Sequence, residues 1–242
     1  MDLDAKLSHL KLHWMSKNVV DVMKKASERK LSPTDALSSL IEGELQARAM
    51  KASERRLRAA HIPIHKSLAD FNWAWPESID QDLVRELFRL DFIRNKRNAV
   101  FCGGVGLGKS HLVQALAVEA CSKNFKVLFT LAIDMVNSLQ AAATAGRLET
   151  ALRRYVAPDI AIIDELGFLP IERAGADLFF QVISKRHEKS STVITTNRIY
   201  KDWASTFAND AAITSAILDR LTERCATVLI TGSSYRMRES RD

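Results

Sequence analysis

Apolar residues recur at two different periods along this 242-residue chain, and the change of period divides it. Up to about residue 60 the spacing is helical and no strand-like run occurs. Positions 4–29 carry apolar residues at helical spacing, with Val19, Val20 and Met23 in a second segment. Ser32-Pro33-Thr34-Asp35 predicts a helix start, with Ser32 as cap, Pro33 in the first turn and Asp35 closing a capping box. Leu37, Leu40, Ile41 and Leu45 then form one apolar face. The same helix continues into Arg48, Lys51, Arg55, Arg56 and Arg58, offset in part by Glu44 and Glu54. That basic run reads either as a solvated face or as a phosphate-contacting helix in which Arg55 and Arg56 are candidates. Residues 61–64 and 70–76 hold two prolines and little periodicity. The chain is therefore expected to divide into a helical domain over 1–62, a linker over 63–78 and a second domain over 79–242.

In that second domain strands and helices alternate. Strands are predicted at 98–102, 126–130, 160–164, 192–196 and 226–230. The alternation implies right-handed crossovers and a five-stranded parallel sheet sandwiched between helices. The strand at 160–164 is apolar on both faces, as a central parallel strand should be.

Composition narrows the class without naming a function. No apolar stretch is long enough to cross a bilayer, and the start, Met1-Asp2-Leu3-Asp4, lacks a secretory profile. Cys102, Cys121 and Cys225 are isolated and odd in number, which suits buried thiols in a reducing cytoplasm better than disulfides or zinc. The net charge of +6 is compatible with a polyanionic partner and does not establish one.

The chemistry concentrates at residues 103–110, Gly103-Gly104-Val105-Gly106-Leu107-Gly108-Lys109-Ser110, between a predicted strand and a predicted helix. This is the phosphate-loop pattern in its required context. The glycines let backbone N–H groups wrap a polyphosphate, and the helix start aims its positive end at the same charge. Lys109 can reach the β/γ-phosphates, and Ser110 can ligate Mg²⁺. Asp164 and Glu165 close the strand at 160–164: Asp164 is placed to hold Mg²⁺, and Glu165, pointing elsewhere, to polarise a water. Asn197 ends the next strand, where an amide can bond the γ-phosphate or orient that water. Arg220 and Arg224 lie one turn apart on a predicted helix at 212–224; an arginine there suits either a neighbouring subunit's phosphoryl group or a local salt bridge. Trp73 and Trp75 suit the neighbourhood of a nucleotide base or plain interface packing.

Together these residues resemble the AAA+ ATPases, and more narrowly the IstB group of transposition helpers, relatives of the helicase loader DnaC. The resemblance rests on Leu90-Asp91-Phe92-Ile93, Gly108-Lys109-Ser110-His111-Leu112, Ile163-Asp164-Glu165-Leu166-Gly167-Phe168-Leu169-Pro170, Thr196-Asn197-Arg198, Leu218-Asp219-Arg220-Leu221 and Gly232-Ser233-Ser234-Tyr235-Arg236-Met237-Arg238. It implies a P-loop AAA+ sheet without a C-terminal helical lid, binding and hydrolysing ATP with Mg²⁺. It implies nucleotide contact by residues 103–110, His111 and the sensor Arg236. It makes Glu165, Asn197 and Arg220 catalytic, with Arg220 acting across an interface in a homo-oligomer. It also points residues 139–155 toward duplex DNA, with Thr144, Arg147, Arg153 and Arg154 as phosphate contacts, and makes a transposase the protein partner. A helicase loader is the alternative on the same ATPase core. A small-molecule kinase would need an acceptor pocket and usually a lid, and a nucleotide switch without turnover would not need Glu165.

Overall fold

The computed structural model describes residues 2–235. These form two compact units, the first running to Arg55 and the second starting at Arg56. The first holds α1 (Leu3–His9), α2 (His13–Glu28) and most of α3 (Pro33–Ala59). The capping box at the start of α3 is made: Ser32 Oγ donates to Asp35 Oδ2 at 2.7 Å and accepts from the Asp35 N–H at 3.2 Å.

The apolar face of α3 differs from expectation. Ala36, Leu40 and Glu44 are buried, whereas Leu37, Ile41 and Leu45 are exposed. The helix is turned because Glu44 is needed inside. Its Oε2 accepts from the N–H groups of Trp14 and Met15 at 2.8 and 3.1 Å, and Arg48 Nε donates to its Oε1 at 2.8 Å. Those two N–H groups open α2, whose own cap residue, Leu12, has no capping oxygen. Burial raises the carboxyl pKa, but the bonds from Met15, Arg48 and Trp14 outweigh it and hold the value below the ordinary carboxylate range.

The second unit continues with β1 (Ser78–Ile79), α4 (Gln81–Leu87), α5 (Asp91–Arg94), β2 (Asn98–Gly103), α6 (Lys109–Ser122), β3 (Val127–Leu131), α7 (Ala132–Thr144), α8 (Leu148–Val156), β4 (Ile160–Leu166), α9 (Arg173–Arg186), β5 (Ser191–Thr196), α10 (Ala211–Thr222) and β6 (Cys225–Thr231). The strands form one sheet in the order β1-β6-β2-β5-β4-β3. The five expected strands are present and pair in parallel; β1 is a sixth, antiparallel to β6, with Ser78 opposite Thr231. Two residues carry no period, which is why the sequence does not announce β1.

Alternation along each strand feeds two cores. Phe101 of β2 and Ile162 of β4 pack with Leu112 and Leu116 of α6. Val100 and Ile163 face the other way, toward Met135 of α7, Phe179 of α9 and Ile217 of α10. The fully buried Arg186 ties this second layer together: its guanidinium donates to Tyr155 O at 2.7 Å, Pro158 O at 3.1 Å and Thr192 Oγ1 at 3.0 Å.

The boundary also differs from expectation. Residues 63–78 pack into the second unit: Phe71 belongs to the first core, with Leu68 and Trp73 against it. Apart from one short 3-10 turn at Leu68–Asp70 and the first residue of β1, single side chains anchor this stretch, so it shows no periodicity.

Glu44 gives a test of the helical unit. Its native pKa is lowered, so its contribution is present above the ordinary carboxylate pKa and lost as pH falls through the native value. Helical circular dichroism should therefore show partial loss below about pH 4. Glu44→Gln should cost about 1 kcal/mol at pH 7 in urea unfolding and flatten that acid transition.

Candidate functional site

β2 ends at Gly103, and α6 starts at Lys109, leaving a tight loop between them. Gly106 and Gly108 take the left-handed conformation, with φ of +76° and +84°. Both are also crowded. A Cβ on Gly106 would lie 2.1 Å from Ser234 Oγ, and one on Gly108 2.6 Å from a ring carbon of Phe71. Gly108 caps α6 without a side-chain bond, so the first N–H groups of this helix are left for an anion. Leu107 is buried and pins the loop, while Val105 is exposed at its tip. Lys109 Nζ folds back along the loop and donates to Gly103 O and Gly104 O at 2.8 and 2.6 Å. Cys102 stays a thiol, because burial pushes its pKa up and the Lys109 charge offsets this only in part.

The acids arrive from β4, two strands away in the sheet. Asp164 is buried, and its Oδ1 accepts from Ser110 Oγ at 3.2 Å and from the Thr195 hydroxyl. The same Thr195 hydroxyl accepts from the Glu165 N–H at 2.9 Å. Here the ladder between β4 and β5 slips: Ile163 pairs with Ile194, but Leu166 with Thr196. The extra residue is a bulge, and Glu165 sits in it at φ +62°. A non-glycine residue there costs roughly 1–2 kcal/mol. The bulge sends the exposed Glu165 side chain away from the buried Asp164.

The donor set fits a hard divalent cation. A carboxylate oxygen and a hydroxyl oxygen lie 3.2 Å apart, close to the separation of neighbouring ligands around Mg²⁺. Asn197 is exposed and follows Thr196, which pairs with Cys102 next to the loop. Arg198, to which the sequence assigns no role, locks two strand-end loops together. Its Nε donates to Gly167 O at 2.9 Å, and its carbonyl accepts from Trp203 Nε1 at 3.2 Å.

A cavity of about 490 Å³ opens beside the loop, bordered by Phe71, Trp75, His111, Gln114 and Tyr235. Its size suits a small ligand. Trp75 Nε1 donates to Ser233 O at 3.0 Å, its ring meets that of Tyr235 edge-on at 5.1 Å, and the Tyr235 N–H reaches Gly106 O at 3.0 Å. His111 Nε2 donates to Ser67 O at 2.9 Å. Trp73 does not border the cavity; it packs edge-on against Phe71 at 4.9 Å, with Arg85 over its ring at 5.8 Å. The sequence contains no periodic signal for Phe71, Gln114 or Tyr235 at this cavity.

Other candidates lie apart from this constellation. Arg220 is half-buried on α10: it donates to Ala216 O at 3.1 Å, and its guanidinium lies 4.9 Å from the centre of the Phe180 ring. It does not border the cavity. Arg147, Arg153 and Arg154 are exposed around α8, and Thr144 donates to Gln140 O at 3.1 Å. Arg55 is exposed, but Arg56 Nε is engaged with Cys121 O at 2.9 Å, so a structural bond occupies a side chain expected to meet phosphate. Arg236 lies outside the described residues.

The IstB-like ATP binding protein family matches residues 5–242. An ATP-binding protein of insertion sequence IS21 from Pseudomonas aeruginosa is 35% identical over 240 residues, covering 99% of this chain and 90% of the relative. One of insertion sequence IS5376 from Geobacillus stearothermophilus is 34% identical over 216 residues, covering 89% and 86%. Among solved structures, the DnaC helicase loader superposes with a TM-score of 0.55 at 18% identity, over 68% of this chain and 96% of its own. The replication initiator DnaA, bound to AMPPCP and single-stranded DNA, gives 0.58 at 18%, over 72% and 52%. Both share the fold.

The loop yields a direct test. Gly108→Val places a β-branched side chain at positive φ and against Phe71. Affinity for a fluorescent ATP analogue should fall at least about tenfold, the equivalent of one unfavourable backbone residue.

Proposed function

The chain belongs to the IstB-like ATP binding protein family, and from that premise we propose that it hydrolyses ATP as the DNA-assembling helper of an insertion-sequence transposase. The observation that carries the reading is the split of the two acids: Asp164 buried against Ser110, and Glu165 turned outward by the bulge. A protein that only bound nucleotide would need the first and not the second.

Backbone N–H groups of the loop and Lys109 neutralise the β/γ-phosphates. Ser110 and Asp164 would hold Mg²⁺, which would supply positive charge to offset that of the transferring phosphoryl group. Glu165 accepts a proton from the attacking water, and Asn197 orients that water against the γ-phosphate. Thr195 positions both acids at once, through Asp164 and through the Glu165 N–H. Arg220, away from the cavity of its own subunit, serves the site of a neighbour in the assembly. Relatives from insertion sequences, aligned over nearly the whole chain, favour a transposase over a replicative helicase as partner. The exposed Arg147, Arg153 and Arg154 contact duplex phosphates with little regard for sequence.

Glu165→Gln should leave binding of the ATP analogue within about twofold and lower steady-state phosphate release at least about a hundredfold. Unchanged release would reduce the protein to a nucleotide-switched scaffold. Separately, replacing Arg147, Arg153 and Arg154 by alanine should weaken duplex binding uniformly across sequences. It should also flatten the plot of log affinity against log salt by about three phosphate contacts. A change confined to one sequence would contradict a backbone-directed role.

A further inference from the structure

Gln114 is the unexplained polar group of the cavity. It sits on α6, 9% exposed, and borders the open volume. Its carboxamide makes no hydrogen bond among the described residues. The side chain is largely buried while its carboxamide opens onto the cavity, so a ligand there can engage both its acceptor and its donor.

Position along the helix says which part of a nucleotide would meet it. Gln114 is five residues beyond Lys109, about 7.5 Å along α6. That reach compares with the distance from a β-phosphate to its base. His111, three residues earlier, shares this face of the helix and also borders the cavity. Trp75 and Tyr235 also border the cavity, and their rings offer flat apolar surface. The cleft thus combines the cationic phosphate loop, aromatic rings and the carboxamides of Asn72 and Gln114, of which Gln114 is the one carried on α6 beyond the loop.

We propose that Gln114 is a specificity-determining residue that reads the edge of adenine while the Trp75–Tyr235 wall takes its face. The inference rests on nucleotide binding in this cleft. A carboxamide presents an acceptor beside a donor. Adenine matches it with the N6 amino group beside N7, whereas guanine offers two acceptors, O6 and N7, on the same edge. The pairing is bidentate for adenine and at most single for guanine. Gln114 therefore separates ATP from GTP, and it has no part in holding the phosphates.

The experiment is calorimetric titration of the full chain with MgATP, MgGTP and inorganic tripolyphosphate, for the wild type, Gln114→Met and Gln114→Glu. The wild type should prefer ATP to GTP by about tenfold or more. Gln114→Met, similar in length and without the amide, should bring the ratio close to one while tripolyphosphate affinity stays put. Gln114→Glu loses the donor and should penalise ATP more than tripolyphosphate, which also covers the case in which the methionine variant does not fold. If the wild type bound neither ATP nor tripolyphosphate, the nucleotide reading itself would fail. If it bound ATP but the folded methionine variant kept the wild-type ATP to GTP ratio, or the folded glutamate variant kept the wild-type ATP affinity, only the role of Gln114 would be overturned.

Discussion

One hydroxyl group holds the acid-bearing edge of the sheet in register. Thr195 donates to Asp164 and accepts from the Glu165 N–H, so a single side chain on β5 fixes both acids of β4. The arrangement has a physical price in the backbone, since Glu165 is held at φ +62° where a side chain is disfavoured. The bond from Thr195 satisfies the N–H that the bulge removes from the ladder. Without the bulge, strict alternation would place Asp164 and Glu165 on opposite faces of a flat strand. With it, both stand at the strand end, one turned toward Ser110 and the other toward solvent.

The sheet order makes this local device useful. β5 lies between β2 and β4, so the strand carrying Thr195 and Asn197 is the direct neighbour of both the phosphate loop and the acids. Three consecutive strands therefore end in chemistry at one edge, where open α/β sheets take their ligands. Arg198 adds stiffness there, clamping the turn after β5 to the turn after β4 through Gly167 O. The loop's glycines serve close approach in the same way: Gly106 and Gly108 leave no room for a Cβ because Ser234 and Phe71 press on them.

Much of this was legible from the residues, and what was not has a common cause. Strand runs such as Ile160-Ala161-Ile162-Ile163 announce themselves because a buried parallel strand must be apolar throughout. The loop announces itself through glycine spacing, and the capping box of α3 through Ser32 and Asp35. The inward face of α3 was misread because a charged residue, Glu44, occupies the interior by capping another helix, which a hydrophobicity pattern counts as surface. The stretch 63–78 reads as a linker because Leu68, Phe71 and Trp73 anchor it without a period. Arg56 looked available for phosphate, and only its bond to Cys121 O says otherwise. In each case a contact distant in sequence overrides a local pattern.

The two-residue strand β1 belongs to the same class of hidden contact, and it explains how the cavity acquires its aromatic wall. Ser78 pairs with Thr231 and Ile79 with Ile230, in antiparallel register. Continuing that register outward by three residues puts Trp75 opposite Ser234, next to Ser233, whose carbonyl the indole in fact reaches, and next to Tyr235, whose ring it meets. The segment before the sheet and the segment after it are thus zipped together over the loop, and Tyr235 is tied to Gly106 by its N–H. Phosphate recognition is built from the centre of the sheet, from β2 and α6, and is fixed by backbone. The aromatic wall of the cavity is built from the sheet's margin, by side chains brought together through one short pairing at the edge strand. Margins tolerate substitution more readily than centres, because fewer core contacts depend on them. A fold arranged this way can keep its phosphate chemistry constant while the residues of the aromatic wall vary.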